Sequence, residues 1–301
     1  MPAVMTPGAP PISGDTVYVQ PKKRGRVAYW LLLPGMLWLF IFFVIPLFSL
    51  FVTSLQEPLG ATPSAGYGPG FRFANYTDAL TTYTPEFIRS FVYAGLATVL
   101  CLVISFPLAY FIAFKAGRWR NILLVLVVAP FFCSFLIRTY AWKTILADDG
   151  FITSFFNALN VLPDDRILAT PIAVVFGLTY NFLPFMVLPL YASLERIDPR
   201  LIEAAADLYA KPWTGLRKVT VPLAMPGIVA GTLLTFIPSA GDFINSALLG
   251  SPRTRMVGNV IESQFSRDAY PTAAALSFSL MAVILVFVFV YIRRAGTEEL
   301  V

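Results

Sequence analysis

The chain of 301 residues contains no histidine. The side chain that most often serves as a general base near neutral pH, and the commonest nitrogen ligand of zinc, are therefore both missing. There is no G-x-x-x-x-G-K-[ST] phosphate loop either, so any nucleotide hydrolysis that drives this protein must occur on another polypeptide. No nucleophile is paired with a base in a catalytic pattern. Cysteine is reduced to Cys101 and Cys133, both inside apolar runs, where they read as small fillers rather than as a disulfide. Charge is scarce, at 13% of residues. What remains is overwhelmingly apolar: 57% of the chain is hydrophobic, with a mean hydropathy of +0.72. A water-soluble globule of this length would leave much of that surface exposed, so the solvent must be lipid.

Crossing the hydrocarbon takes about 20 apolar residues per helix. Six runs qualify: Tyr29 to Leu55, Phe87 to Phe114, Asn121 to Trp142, Ala169 to Ala192, Gly227 to Leu249 and Thr272 to Ile292. An even number of spans puts both termini on one side. That side carries Lys22, Lys23, Arg24, Arg26, Lys115, Arg118, Arg120, Arg196, Arg200, Lys211, Arg217, Lys218, Arg293 and Arg294, which are most of the 22 basic residues and mark it as cytoplasmic. The net charge of +5 is thus a topology signal, not a nucleic-acid footprint. Residues 1–27 form an expected cytoplasmic tail, disordered over the Pro-, Gly- and Ser-rich Met1 to Gln20, and residues 296–301 a second tail. The six-helix domain covers 28–295. Its first run far exceeds a signal h-region of about 7 to 15 residues and is expected to stay as an anchor.

One polar insert interrupts this pattern, residues 193–226, with Leu201 to Gly227 reading LIEAAADLYAKPWTGLRKVTVPLAMPG. Leu201 to Leu208 holds no helix breaker, and its alanines combine the best helix propensity with almost no bulk, so a neighbour can approach closely. Lys211-Pro212-Trp213 breaks it, with Pro212 suited to the first turn of a second short helix over Thr214 to Thr220 that ends near Pro222. The spacing of Glu203-Ala204-Ala205, Val219, Val221 and Pro222 resembles the EAA coupling loop of ABC importer permeases. The resemblance implies that Glu203, Ala204, Ala205, Asp207, Tyr209 and Pro222 dock on an ATP-hydrolysing partner. One position departs: Tyr209 stands where the pattern has glycine, so the turn there is expected to avoid positive φ. An amphipathic loop lying on headgroups, with Arg217 and Lys218 toward phosphates, is the alternative.

Three further stretches sharpen the resemblance to the first permease subunit of spermidine/putrescine-type importers: Pro130 to Leu146, Leu183 to Arg196, and Ile237 to Pro252 with Gly258 to Phe265. The likeness covers most of Phe87 to Ile292. It implies an all-α fold of six transmembrane helices, the type I importer (MetI-like) permease fold, with no cofactor in this chain and with ATP and Mg on a partner ATPase. It also implies a second permease subunit of the same fold, a dimer of ATP-binding subunits, an extracytoplasmic binding protein, a bacterial plasma membrane location and a polyamine substrate. A sugar, phosphate, thiosulfate or ferric ion carried by the same fold is the main alternative, and a cation-coupled secondary transporter a more distant one.

For the pathway, Asp242 is the clearest acid within an apolar run, and an ionisable group there is a functional residue or half of an ion pair, with Arg138 or Lys143 as candidate partner. Pro238 and Gly241 flank it, so a helix break is expected nearby. Tyr140, Trp142, Tyr180 and Phe243 offer ring faces to an alkylammonium group, although belt or packing roles suit them as well. Asn245 joins them as a polar group, with Asn181, Ser239 and Ser246 as further candidates. Phe151 to Leu162 is too short to cross and reads as an outer interfacial helix, with Asp148, Asp149, Asp164 and Asp165 available to the binding protein.

Overall fold

The computed structural model describes residues 27–60, 65–158 and 166–295. Both expected tails, and the end of the Phe151 to Leu162 segment with Asp164 and Asp165, lie outside the described residues. By contacts the chain divides into two units, Met1–Ser49 and Leu50–Val301. In the first, α1 (Val27–Leu39) carries Pro34 and passes through a π-helical turn, Phe40–Val44, into α2 (Ile45–Ser54). No charged residue interrupts it, as a lipid-embedded helix requires.

The second unit begins at the end of α2 with a two-residue hairpin, β1 (Glu57–Pro58) paired antiparallel with β2 (Tyr67–Gly68). Then come α3 (Ala74–Thr82), the long α4 (Thr84–Phe114), α5 (Arg120–Val128), α6 (Phe135–Ile145) and α7 (Phe151–Ala158). They are followed by α8 (Pro171–Leu194), α9 (Pro199–Asp207), α10 (Pro212–Gly215), α11 (Val221–Leu223) and α12 (Met225–Ala240). Last are α13 (Ile244–Leu249), α14 (Val257–Phe265) and α15 (Tyr270–Ala295). Among the described residues four helices are long and apolar enough to cross a membrane, rising to six when each of two bent pairs counts as one span.

The first bent pair corrects the straight span expected at the third position, whereas the second joins Pro212–Leu223 to Met225–Ala240 at 70° and is separate from the break expected near Asp242. The run Asn121 to Trp142 is broken at Cys133-Ser134, where extended backbone separates a 3-10 turn (Ala129–Phe132) from α6, and the two arms meet at 94°. Pro130 has no N–H to continue the ladder, which places the break just after it. Cys133 therefore sits exposed at a corner, while Cys101 is buried and donates its thiol to the Thr179 carbonyl at 3.3 Å. The run Gly227 to Leu249 also stops short: α12 ends at Ala240, and α13 begins at Ile244. Pro238 lies inside α12, and the break falls at Gly241 instead.

The core is built by α4, α8 and α12. Outward-facing Val99, Val103, Val125 and Val286 are each about 60% exposed, the signature of a surface wetted by acyl chains. Inside, small residues let backbones meet. Gly227 and Gly231, four apart on α12, form a G-x-x-x-G face of the kind that packs membrane helices closely. A Cβ on Gly227 would lie 2.6 Å from the Pro189 carbonyl oxygen of α8 and 2.5 Å from the Ser193 Cβ. At Gly231 the obstacles are the Met186 Sδ at 2.7 Å and its carbonyl oxygen at 3.2 Å. Because backbone cannot yield as a methionine tip can, Gly227→Val is expected to cost about 1–3 kcal/mol and to lower the melting temperature of the purified protein more than Gly231→Ala does. Equal melting temperatures for the three proteins would refute this account of the α8–α12 contact.

Candidate functional site

Two places concentrate polar chemistry. The first is the α12–α13 break. Asp242 is the buried acid, and Arg138 the buried base, among the described residues; each is 8% exposed. Asp242 takes part in none of the ion pairs there, so pairing with Arg138 or Lys143 is not what holds it. Its Oδ1 accepts from the Asn245 amide at 2.8 Å, which caps the first turn of α13 and places a negative group at the positive end of that helix.

From Asn245 a buried network runs outward. Asn181 of α8 donates from Nδ2 to Asn245 Oδ1 at 2.9 Å and lies 3.3 Å from Thr139 Oγ1 of α6. Gly177, one turn before Asn181, makes room for it: a Cβ there would sit 2.8 Å from Asn245 Oδ1. On the other side Asn259 of α14 donates to the Phe243 carbonyl at 2.7 Å and accepts from the Ser246 hydroxyl at 2.5 Å and the Met256 amide at 3.0 Å. Gly258 allows that approach, since a Cβ would meet the Gly241 and Asp242 carbonyl oxygens at 2.5 and 2.9 Å. The carbonyl of Phe243, which accepts the Ala247 amide at 3.0 Å as α13 begins, thus takes a second bond from a neighbouring element.

The sequence-selected pathway residues fall into separate settings. Asp242 and Asn245 are bonded to each other. Trp142 packs edge-on against Tyr180 and Phe176, with centroids 5.1 and 4.6 Å apart, as aromatic pairs prefer. Phe243 is 42% exposed beside the break, and Tyr140 is more than half exposed with Lys143 over its ring. Of the further candidates, Asn181 and Ser246 join the network, whereas Ser239 bonds only back to the Thr235 carbonyl. Thr139 and Asn259 escaped sequence reading because neutral polar residues carry no signal until a fold brings them together.

The second place is the insert between α8 and α12. Asp198 caps α9 by accepting from the Arg200 amide at 3.0 Å, and Pro199 takes the first helical position. Helix α9 begins two residues before Leu201 and ends at Asp207. Beyond it, Tyr209 has φ 58°, contrary to the expectation that it would avoid positive φ. The Ala210 amide donates to the Ala205 carbonyl at 3.1 Å and the Tyr209 amide to Ala206 at 2.9 Å, the paired bonds of a Schellman motif with Tyr209 in the glycine position. Those two bonds and the sharp turn into Pro212 fix the conformation, whatever the side chain. The second helix starts at Pro212 as expected but turns π-helical over Leu216–Thr220 and runs past Pro222 to Leu223.

Glu203, Ala204, Asp207, Pro222 and Trp213 face outward, and Tyr209 is 97% exposed. Ala205 differs. It is half-buried, lines a cavity of about 650 Å³ against Tyr110 and Phe111 of α4, and lies 3.9 Å from where a Cβ on Gly215 would be. Its small size therefore serves the packing of α9 on α10, whereas Ala204 is exposed among the described residues. Arg120 at the start of α5 is paired with Glu195 and lies 5.1 Å over the Tyr191 ring, which ties the insert's root to the third span.

An exposed helical hairpin on a six-span body with two broken spans is the architecture of an ABC transporter permease. No family model matches the chain. A solved bacterial ABC transporter involved in the import of the acidic polysaccharide alginate superimposes with a TM-score of 0.66 at 22% identity, covering 92% of this chain and 97% of that one. The alginate transporter in complex with a pentasaccharide-bound periplasmic protein gives 0.71 at 20% identity, covering 91% and 96%. Sequence relatives narrow the class. The spermidine/putrescine transport system permease protein PotB of Haemophilus influenzae is 38% identical over 260 residues, 85% of this chain and 90% of that protein. PotB of Escherichia coli is 41% identical over 229 residues, 75% and 83% of the two chains. The inner membrane ABC transporter permease YdcU of E. coli is 33% identical over 297 residues, 91% of each. The chain belongs to this family of spermidine/putrescine-type ABC transporter permeases.

Glycine in place of Tyr209 removes the side chain's penalty in the left-handed region, roughly 1 kcal/mol. Tyr209→Gly is accordingly expected to slow amide exchange at Ala205 to Ala210 several-fold. Unchanged or faster exchange would show that the tyrosine carries no strain.

Proposed function

We propose that this protein is one of two permease subunits of a polyamine importer, forming half of a translocation pathway that opens alternately to each side. The observation that carries the substrate is the 38–41% identity, over most of the chain, to permeases named for spermidine and putrescine transport. The site agrees with a cationic cargo. Asp242 is buried, without a cationic partner among the described residues and set in a helix break, and Phe243 beside it exposes its ring. Carboxylate and ring faces are the two groups that recognise an alkylammonium chain.

Energy enters through the insert. Two ATP-binding subunits close on ATP and grip the outward face of α9, carrying Glu203, Ala204, Asp207 and Tyr209; the Schellman turn and the Arg120–Glu195 pair pass that movement to α8, α5 and α12. ATP and Mg stay on those subunits. An extracytoplasmic binding protein delivers the substrate to the opposite surface, where α3, α7 and the β1–β2 hairpin lie. The distribution of lysine and arginine puts both termini and the insert in the cytoplasm, and the protein in a bacterial plasma membrane with lipid around it.

Asp242→Asn keeps an oxygen that caps α13 but removes the charge. It is expected to reduce polyamine uptake by reconstituted complex at least ten-fold while basal ATP hydrolysis and melting temperature stay near wild type. Asp242→Ala additionally loses the cap, at about 1 kcal/mol, and melts lower. Wild-type uptake kinetics in Asp242→Asn would remove the substrate role.

Ala204→Leu separates docking from folding, because the side chain is exposed among the described residues. Binding-protein-stimulated ATP hydrolysis and uptake are expected to fall together in that variant, with the melting temperature of the chain itself unchanged. Full coupling would exclude the outward face of α9 from the ATPase contact.

A further inference from the structure

Arg138 is a cation without a counter-charge among the described residues. It is more than nine-tenths buried, its Nε and Nη1 make no hydrogen bond, and it enters none of the ion pairs among the described residues. The rings of Phe131 and Phe135 lie 5.6 and 5.7 Å from the guanidinium carbon. Ring faces offset only part of the cost of taking a guanidinium out of water, and five donors in a fixed fork still ask for an acceptor. The acid nearest in kind, Asp242, is committed to capping α13. Of the other acids of the described residues, Glu86 in the first turn of α4 is paired with Arg89, and the rest lie in loops or in helices outside the spans.

The arginine lines a cavity of about 560 Å³ whose wall also includes Ser134, Phe135, Asn181 and Phe182. Ser134 and Phe135 are the start of α6, an 11-residue helix with no side-chain cap, so free amides and a positive helix end meet the guanidinium in one place. Among phenylalanine rings, the guanidinium and the helix start are the charged features of this cavity, and both favour a negative group. Its depth excludes a headgroup: the break lies some 13 residues beyond Arg120, roughly 20 Å at the helical rise, and the 94° bend keeps α6 from climbing to the far surface. Around it, Phe132, Ile137 and Leu136 are 87%, 67% and 49% exposed, a large apolar rim that an acyl chain or a protein helix can cover. Only the helix can also bring a carboxylate to this depth.

We propose that Arg138 anchors the contact with the second permease subunit, whose own membrane segment inserts an Asp or Glu carboxylate into this cavity to pair with the guanidinium at the start of α6. The proposal rests on the two-permease reading above. It also resolves a conflict within it, because an uncompensated arginine on the element next to Asp242 would repel a cationic cargo, and the pair removes that repulsion.

The test is a double-mutant cycle on the whole complex in nanodiscs, purified through a tag on the second permease. Each intramembrane Asp or Glu of that subunit is changed in turn to Asn or Gln, with and without Arg138→Gln, and the half-life of the assembled complex is measured. One carboxylate is expected whose loss shortens the half-life about ten-fold, as Arg138→Gln does, with the double variant no worse than either single one and Arg138→Lys intermediate. Cross-linking reads proximity without relying on stability: a cysteine at that carboxylate's position should join the native, exposed Cys133 in an otherwise wild-type complex. The proposal falls if Arg138→Gln leaves the half-life unchanged or if no carboxylate couples to it. It falls equally if the half-life follows the anionic lipid content of the nanodisc instead, since that makes a phosphate the counter-ion. Failure of the second permease to co-purify with the wild-type chain would sink the two-permease reading itself, a separate result.

Discussion

In hydrocarbon no water replaces a lost backbone hydrogen bond, so every interruption of a spanning helix must be repaired by another part of the same structure. This chain interrupts two of its spans, after Phe132 and after Ala240, and most of its buried polar residues stand around those places. Asn259 takes the Phe243 carbonyl, Asp242 takes the Asn245 amide, and Asn181 links α8 to Asn245 and Thr139. Remove that requirement and the clustering of three asparagines on three different helices has no reason. The glycines follow from the same constraint, since Gly177 and Gly258 hold neighbouring elements close enough for those bonds to form.

The broken spans also bear on how a pathway can exist in so apolar a chain. A continuous helix offers a passing solute only side chains, whereas a break exposes carbonyls, amides and a helix end. At the α12–α13 break a carboxylate compensates the positive helix end. At the start of α6 none of the described residues does, and a second positive group, Arg138, stands there as well. The two breaks are therefore electrostatic opposites, one complete among the described residues and the other incomplete.

The polar insert between α8 and α12 obeys a different solvent and different rules. In water its helix ends use ordinary devices, Asp198 as N-cap and a Schellman turn as C-cap, and only the residue in the turn is unusual. Tyr209 accepts the left-handed conformation because two backbone bonds and the following proline leave no other route between α9 and α10. Two adjacent alanines of the insert do different work: Ala205 is small for the sake of Gly215 and α4, while Ala204 is exposed among the described residues.

Much of this was legible in the sequence, for a physical reason: length and hydropathy of a run decide whether it can lie in lipid, and those are local properties. The all-α class, the six apolar runs, the polar insert with its two short helices and the exceptional status of Asp242 all follow from them, and the family that the sequence resembled is the one its relatives show. Tertiary structure decided the rest. Pro238 and Gly241 announced the break after Ala240, but nothing local showed that the third run bends by 94°, because a proline is tolerated in one span, as Pro238 is in α12, and breaks another, as after Pro130. Pattern alone misread Tyr209, since local preference argues against φ 58° and only the closure of the α9–α10 turn overrides it. Nor could sequence separate Asp242, neutralised by a helix end, from Arg138, neutralised by none of the described residues. Both are single charges in apolar runs, and their difference is one of neighbours, which exist only once the helices are packed.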